Sequence, residues 1–196
     1  MGSWKKEKVV TSIVVLFLGV FTTFAQTEKT ERDLYIKPGL LSASATLSPT
    51  DMLNRKEINY YLTGFMEGRV HENISIRGDI HYLLPNADSK FLKNNIRLAL
   101  GIQYGFPIKN FEVHMGFAPG FAVMTSNVNT DIHEFVPTAQ LNIGARYYVW
   151  KYFHFFGNIH YIHSRMNKLN KVNGMADEMV YSVGLGFNFQ TLKKNR

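Results

Sequence analysis

The stretch Met179-Val180-Tyr181-Ser182-Val183-Gly184-Leu185-Gly186-Phe187-Asn188-Phe189 has a period of two. Its odd positions are Met, Tyr, Val, Leu, Phe and Phe; its even positions after Val180 are Ser, Gly, Gly and Asn. Successive side chains of a strand point to opposite faces, so one face is large and apolar and the other small or polar. The stretch closes on aromatics directly ahead of the basic run QTLKKNR. A strand of this kind suits a closed barrel in lipid better than a sheet with one face in water.

Working outward, seven more stretches have strand character, giving eight at about 34–46, 58–70, 74–84, 93–104, 111–124, 135–149, 152–164 and 177–189. Short breaks fall around His71-Glu72-Asn73, Pro107-Ile108-Lys109-Asn110 and Val149-Trp150-Lys151; longer ones span 47–57, 85–92, 125–134 and 165–176. Alternating short turns and longer loops is the habit of outer-membrane barrels, with the short turns in the periplasm. Short turns after the second, fourth and sixth strands place both termini there.

A soluble barrel has the same period, with its apolar face inside. Two details favour the membrane form. The polar faces are rich in Gly, Ala, Ser and Asn, as in Ala99-Gly101 and Gly116-Ala118-Gly120-Ala122, whereas lysines such as Lys90, Lys109, Lys151 and Lys168 sit in loops. Small residues suit the crowded interior of an eight-stranded barrel. Aromatics also collect at two levels. Tyr147, Tyr148, Trp150, Tyr152 and Phe153 flank one short turn, and Phe187 and Phe189 end the last strand at the same level. Tyr60, Tyr82, Phe135, Tyr161 and Tyr181 fall at the other end. Two aromatic girdles around an apolar band mark a membrane barrel. The girdle set is Tyr147, Trp150, Tyr152, Phe153, Phe187 and Phe189. Tyr61 and Phe65 interrupt the pattern by falling on the polar face of the second strand.

The 196-residue length fits one domain. Residues 1–25 read as a cleaved signal peptide: Lys5, Lys6 and Lys8, an apolar run from Val9 to Phe24, and small residues at Thr23 and Ala25. The remaining partition is a short periplasmic segment (26–33), the barrel (34–190) and a basic tail (191–196). There is no cysteine, hence no disulfide and no lipid-bearing cysteine. The formal charge is +7, but the basic residues are dispersed rather than gathered in a stripe. That argues against nucleic acid as partner and for an anionic lipid surface.

With the signal ending FAQ, the first-strand run LYIKPGLL, the eight-strand pattern and the terminal VGLGFNF, the chain resembles the small outer-membrane β-barrels of the OmpX and OmpA transmembrane-domain type, in the form common in Bacteroidota-like bacteria. The resemblance covers about 27–190. It implies an all-β, transmembrane, antiparallel up-and-down barrel in the outer membrane of a Gram-negative bacterium. It also implies that barrel-assembly machinery reads the last strand during insertion. Such barrels include adhesion and envelope-integrity proteins, lipid-modifying enzymes and subunits of larger outer-membrane machines, so the fold alone does not assign a function.

Alternation assigns to the lumen Lys37, Glu67, Arg69, Arg77, Asp79, Arg97, Glu112, His114, Arg146, His154 and His160. Counting back from the turns sets Glu67 opposite Arg77, Gln103 opposite Glu112, and Arg146 near His154. Charges in a narrow lumen must be paired or hydrated, so this set reads first as a polar plug. A narrow pore is the sharper alternative, and five bases against three acids would favour anions. A second alternative rests on His163-Ser164 with Glu178, which is similar to the lipid A deacylases. Their spacing is His-x-Ser-Asn, however, whereas adjacent strand residues point to opposite faces. No metal site or cofactor is expected: His154 and His160 share a face but lie roughly 20 Å apart along a strand. The expectation is therefore a non-enzymatic barrel with a structural or protein-interaction role. Its partners would be outer-membrane lipid and lipopolysaccharide, and another outer-membrane complex of which it could be a small subunit.

Overall fold

The computed structural model describes residues 36–55, 57–85, 89, 91–127, 133–166 and 175–191. The expected leader, the segment 26–33 and all but the first residue of the tail lie outside the described residues. Eight strands follow in order: β1 (Leu40–Met52), β2 (Glu57–Arg69), β3 (Ile74–Leu83), β4 (Leu92–Ile108), β5 (Phe111–Ser126), β6 (His133–Trp150), β7 (Phe153–Ser164) and β8 (Glu178–Gln190). Each pairs antiparallel with its sequence neighbour, and β1 pairs with β8, so the sheet closes on itself. Closure removes the free edges, which is what lets a sheet sit in hydrocarbon. A strand of 13 residues such as β8 rises roughly 43 Å, or about 33 Å along the axis at a tilt of about 40°. That covers the apolar band of about 25 Å that such barrels present.

The two faces differ as the period demands. Leu100, Ile102, Met115, Phe117, Val183 and Leu185 all stand exposed on the outside. Ser42, Arg77, Gln103, His114, Asn158 and Ser182 are buried inside. A water-facing sheet would reverse this arrangement.

Three features of the register differ from the sequence expectation. The first strand begins at Leu40, not 34. Pro38 and Gly39 form a turn in which Leu40 N–H donates to Lys37 C=O at 3.1 Å, with Gly39 at φ 84°. Proline followed by a residue at positive φ is the signature of a type II turn, and β1 starts directly after it. The loop expected at 47–57 accordingly shrinks to 53–56, because β1 continues through Pro49 to Met52. The third feature is the β4–β5 hairpin. Ile108 pairs directly with Phe111, so β4 runs through Pro107 and only Lys109 and Asn110 turn the chain. Lys109 sits at φ 57°, as the tight hairpin turns require.

The closing seam is incomplete in the middle. β1 and β8 pair from Leu40↔Gln190 to Ser44↔Gly186 and again from Thr50↔Val180 to Met52↔Glu178, in one register. Between these, the Thr46 hydroxyl donates to Val183 C=O at 2.7 Å. Pro49, which has no N–H to give, lies in this interval.

Candidate functional site

The interior is built in layers. At the end carrying the short turns, Arg69 of β2 pairs with Glu112 of β5. Arg69 also donates to Glu72 C=O at 2.7 Å, and Tyr148 O–H donates to Glu112 at 3.2 Å. Beside them, His154 Nδ1 lies 2.7 Å from Asn188 Oδ1, which also accepts from Ser42 Oγ at 3.0 Å. Deeper in, Glu67 of β2 accepts from Arg146 of β6, from Ser75 Oγ (2.7 Å) and from Gln103 Nε2 (3.0 Å). Arg77 and Asp79, two residues apart on β3, share a face and meet through contacts of 2.8–3.1 Å. Phe65 supports both arginines, its ring 4.0 Å from the Arg77 guanidinium and 5.2 Å from that of Arg146. Cation–π contact of this kind steadies a guanidinium where water is scarce.

Towards the loop end, Arg97 of β4 pairs with Glu178 of β8. Tyr61 O–H donates to Glu178 at 3.0 Å and accepts from Asn95 Nδ2 at 2.8 Å. Above this pair the chemistry changes. Met52, Leu83, Phe91, Leu92, Met124 and Met166 are buried with Tyr61 in one apolar cluster. At mid-height, between the layers, lies a cavity of about 10 Å³ lined in part by Thr46, Phe65, Asp79 and His160. That is room for about one water molecule.

Of the residues the alternation assigns to the lumen, Glu67, Arg69, Arg77, Asp79, Arg97, Glu112, His114, Arg146, His154 and His160 are buried inside the barrel. Lys37 is not among them: it precedes the turn that starts β1 and is half-buried there. Glu178, outside that set although at the start of the eighth strand, is fully buried and paired. The expected surplus of bases therefore disappears: arginines 69, 77, 97 and 146 pair with carboxylates 112, 79, 178 and 67. The register also moves two expected neighbours. Glu67 does face Arg77, but Gln103 faces Gly116 while Glu112 faces Pro107, and Arg146 faces Phe156 while His154 faces Tyr148. The first shift follows from the two-residue hairpin. The second follows from the turn falling at Lys151-Tyr152 so that Trp150 pairs with Phe153, with a bulge between Tyr148 and Trp150 taking back one residue.

Tyr61 and Phe65, which break the alternation, are thus lumen residues with partners of their own. The sequence signal for them was that break itself. His81 and Gln140, also buried, form a further centre with Asp79 and His160. The separate strands that supply it hid it from any spacing argument.

On the outside, Tyr147 and Phe153 are half-buried and Trp150, Tyr152, Phe187 and Phe189 exposed at the short-turn end. Ring centroids are 6.3 Å apart for Trp150–Phe153 and 5.2 Å for Phe153–Phe187. Tyr148, counted from sequence with this cluster, instead points inward and is fully buried. Tyr60, Tyr82, Phe135 and Tyr181 stand exposed near the loop end.

His163 and Ser164 point apart. His163 faces outward with Nδ1 2.7 Å from Asp177 Oδ1, while the buried Ser164 Oγ donates to Ala176 C=O at 2.8 Å. Base and hydroxyl are not in contact, so the pair lacks the proton-accepting arrangement that activates a serine.

An eight-stranded antiparallel barrel with an apolar outer band, aromatic rims and an ion-paired interior defines a small integral membrane β-barrel protein. Residues 13–189 match the outer membrane protein beta-barrel domain, and the chain belongs to that family. This supports location in the outer membrane. None of the curated proteins matches the sequence. Among solved structures, the N-terminal β-barrel domain of Pseudomonas aeruginosa OprF is similar at 13% identity, covering 77% of this chain and 98% of that one with a TM-score of 0.56. Neisserial surface protein A is similar at 10% identity, covering 77% and 96% with a TM-score of 0.56. The outer membrane protein OprG of Pseudomonas aeruginosa is similar at 13% identity, covering 79% and 97% with a TM-score of 0.53. At such identities the likeness is one of fold.

Proposed function

We propose that this protein is a closed, non-enzymatic barrel whose work is done by its outer wall and loops. It is a structural or interaction element of the Gram-negative outer membrane and a small subunit beside a larger complex, with both termini periplasmic. The observation carrying this reading is the filled lumen. Paired arginines and carboxylates occupy most of its height, with a one-water cavity among their layers, and an apolar cluster fills the loop end. A solute path needs a continuous wet channel, and a hydrolase needs a cleft with an activated nucleophile. The exposed surface around Trp150 and Phe155 suits either lipid or the wall of a neighbouring barrel. The outward-facing Arg165 and the loop lysines suit contact with lipopolysaccharide phosphates. During insertion, barrel-assembly machinery would handle the last strand.

Affinity purification from native envelopes tests the central claim: it is expected to return a second outer-membrane protein in fixed ratio. Recovery of this chain alone defeats the subunit reading. Planar-bilayer recordings are expected to stay at background, and steady conductance would reinstate the pore. Lipid A mass spectra are expected to be the same with and without the protein, and a lost acyl chain would reinstate the hydrolase.

A further inference from the structure

Asp79 and His81 lie two residues apart on β3 and both point inward, while His160 enters from β7 on the far wall. One ligand atom from each lies within 4.8 Å of the other two. Gln140 of β6 sits among them. Its Oε1 is 3.2 Å from His81 Nε2, and its Nε2 donates to Asp79 Oδ2 at 3.1 Å and lies 2.9 Å from His160 Nδ1. An amide oxygen only accepts and an amide nitrogen only donates. Gln140 therefore holds His81 in the Nε2–H form and leaves His160 Nδ1 as a bare acceptor. The other nitrogen of His81, Nδ1, is then a bare lone pair as well, and it is buried with no hydrogen-bond partner. All three residues line the mid-height cavity. Arg77 grips Asp79 Oδ1 through Nε (2.9 Å) and Nη2 (2.8 Å) and reaches Oδ2 through Nε at 3.1 Å, while Oδ2 also accepts from Gln140 at the centre.

We propose that Asp79, His81 and His160 form a binding site for a divalent transition ion of the zinc class. Gln140 is the displaceable occupant and Arg77 the group that orients the carboxylate. Two imidazoles and a carboxylate are the ligand types of three-residue zinc sites, with water from the cavity as the fourth ligand. Bonds of about 2.0–2.1 Å put tetrahedral ligand atoms roughly 3.4 Å apart. The three side chains therefore draw inward once the Gln140 amide leaves the middle. His81 meets the ion through Nε2, the nitrogen that faces the amide, and its ring proton shifts to Nδ1. Arg77 fills the usual role of an outer group that fixes a ligating carboxylate. Because the surrounding arginines and carboxylates already balance, the ion adds charge, which loss of a proton from its bound water offsets in part. Hard, oxygen-seeking Mg²⁺ and Ca²⁺ draw little from two imidazoles and bind poorly. A bound ion joins β3 to β7, so it stabilises the folded barrel and no other state.

The test uses the full-length, tag-free protein in detergent, stripped with chelator and titrated with CoCl₂ or ZnCl₂. Co²⁺ is expected to give the visible bands of a four-coordinate ion at one equivalent. Zn²⁺ is expected to abolish those bands and raise the temperature of the heat-dependent gel shift, with MgCl₂ doing neither. His160→Ala and Asp79→Asn should lose the bands while still showing the folded band on the gel; Gln140→Ala should keep them and bind more tightly. If His160→Ala does not fold, His81→Gln takes its place. Absence of bands in the wild-type protein overturns the proposal. So does their survival in His160→Ala, or their loss in His163→Ala, which would move the ion to the outer rim.

Discussion

The two parts of the lumen are closed by opposite means. Through most of its height the closure is electrostatic: arginines 69, 77, 97 and 146 each meet a carboxylate at atomic contact. Under the loops it is apolar, with Met52, Met124 and Met166 packed against Phe91, Leu92 and Leu83. Tyr61 belongs to both, packing in the apolar cluster while its hydroxyl donates to Glu178. A buried charge tolerates almost no change of partner, because the uncompensated group left behind has no water to turn to. Apolar packing is forgiving of shape, and methionine with its flexible thioether most of all. The ionic part should therefore be brittle and the apolar part plastic.

The sharpest break in that comparison is Glu67→Gln. It keeps the shape and removes the charge facing Arg146, so it is expected to cost about 3–5 kcal/mol, read as a lower urea midpoint in detergent. Adding Arg146→Met to it removes the stranded guanidinium and should recover most of the loss, since the penalty is that of an uncompensated buried charge. Met124→Ala, in the apolar part, comes next at about 2–3 kcal/mol, near the low end for a buried methionine because the flexible Met52 and Met166 beside it can refill the space. Recordings from Met124→Ala should still show no conductance, since the ionic part remains shut; steady current would mean the apolar part is the only seal. Met124→Leu keeps volume and should cost less than about 1.5 kcal/mol by the same urea measurement. A cost equal to that of Glu67→Gln would erase the distinction. The smallest effect is expected outside both parts, at the turn: Lys109→Gly should gain about 0.5–1 kcal/mol by relieving positive φ.

Strand number was legible from a local period of two, and the lipid-facing side and closure from the small residues of the inner face and the two aromatic levels. Most of the lumen residues follow from phase alone. What stayed hidden depends on distance across the barrel. Glu67 and Arg77 are neighbours in register, and counting from the turn finds them; yet the carboxylate of Glu67 is held by Arg146, four strands away. Nothing in the spacing of two residues 79 apart announces that contact. Pro38-Gly39 was the missed local signal, and it misplaced Lys37 and the first loop together. The Asp79, His81, Gln140 and His160 centre was illegible for the same reason as Glu67 and Arg146. Its members come from β3, β6 and β7 and meet only once the sheet has closed.

Two of the ion pairs have a mechanical consequence. Arg146–Glu67 joins β6 to β2, and Arg97–Glu178 joins β4 to β8. In a ring of eight strands each pair joins opposite walls, one near the short turns and the other towards the loops. Flattening the ring into an ellipse lengthens one diameter, so a tie lying along that diameter is pulled. The ties act as spokes at two levels, and lateral pressure in a crowded membrane meets resistance from the hub as well as from the rim.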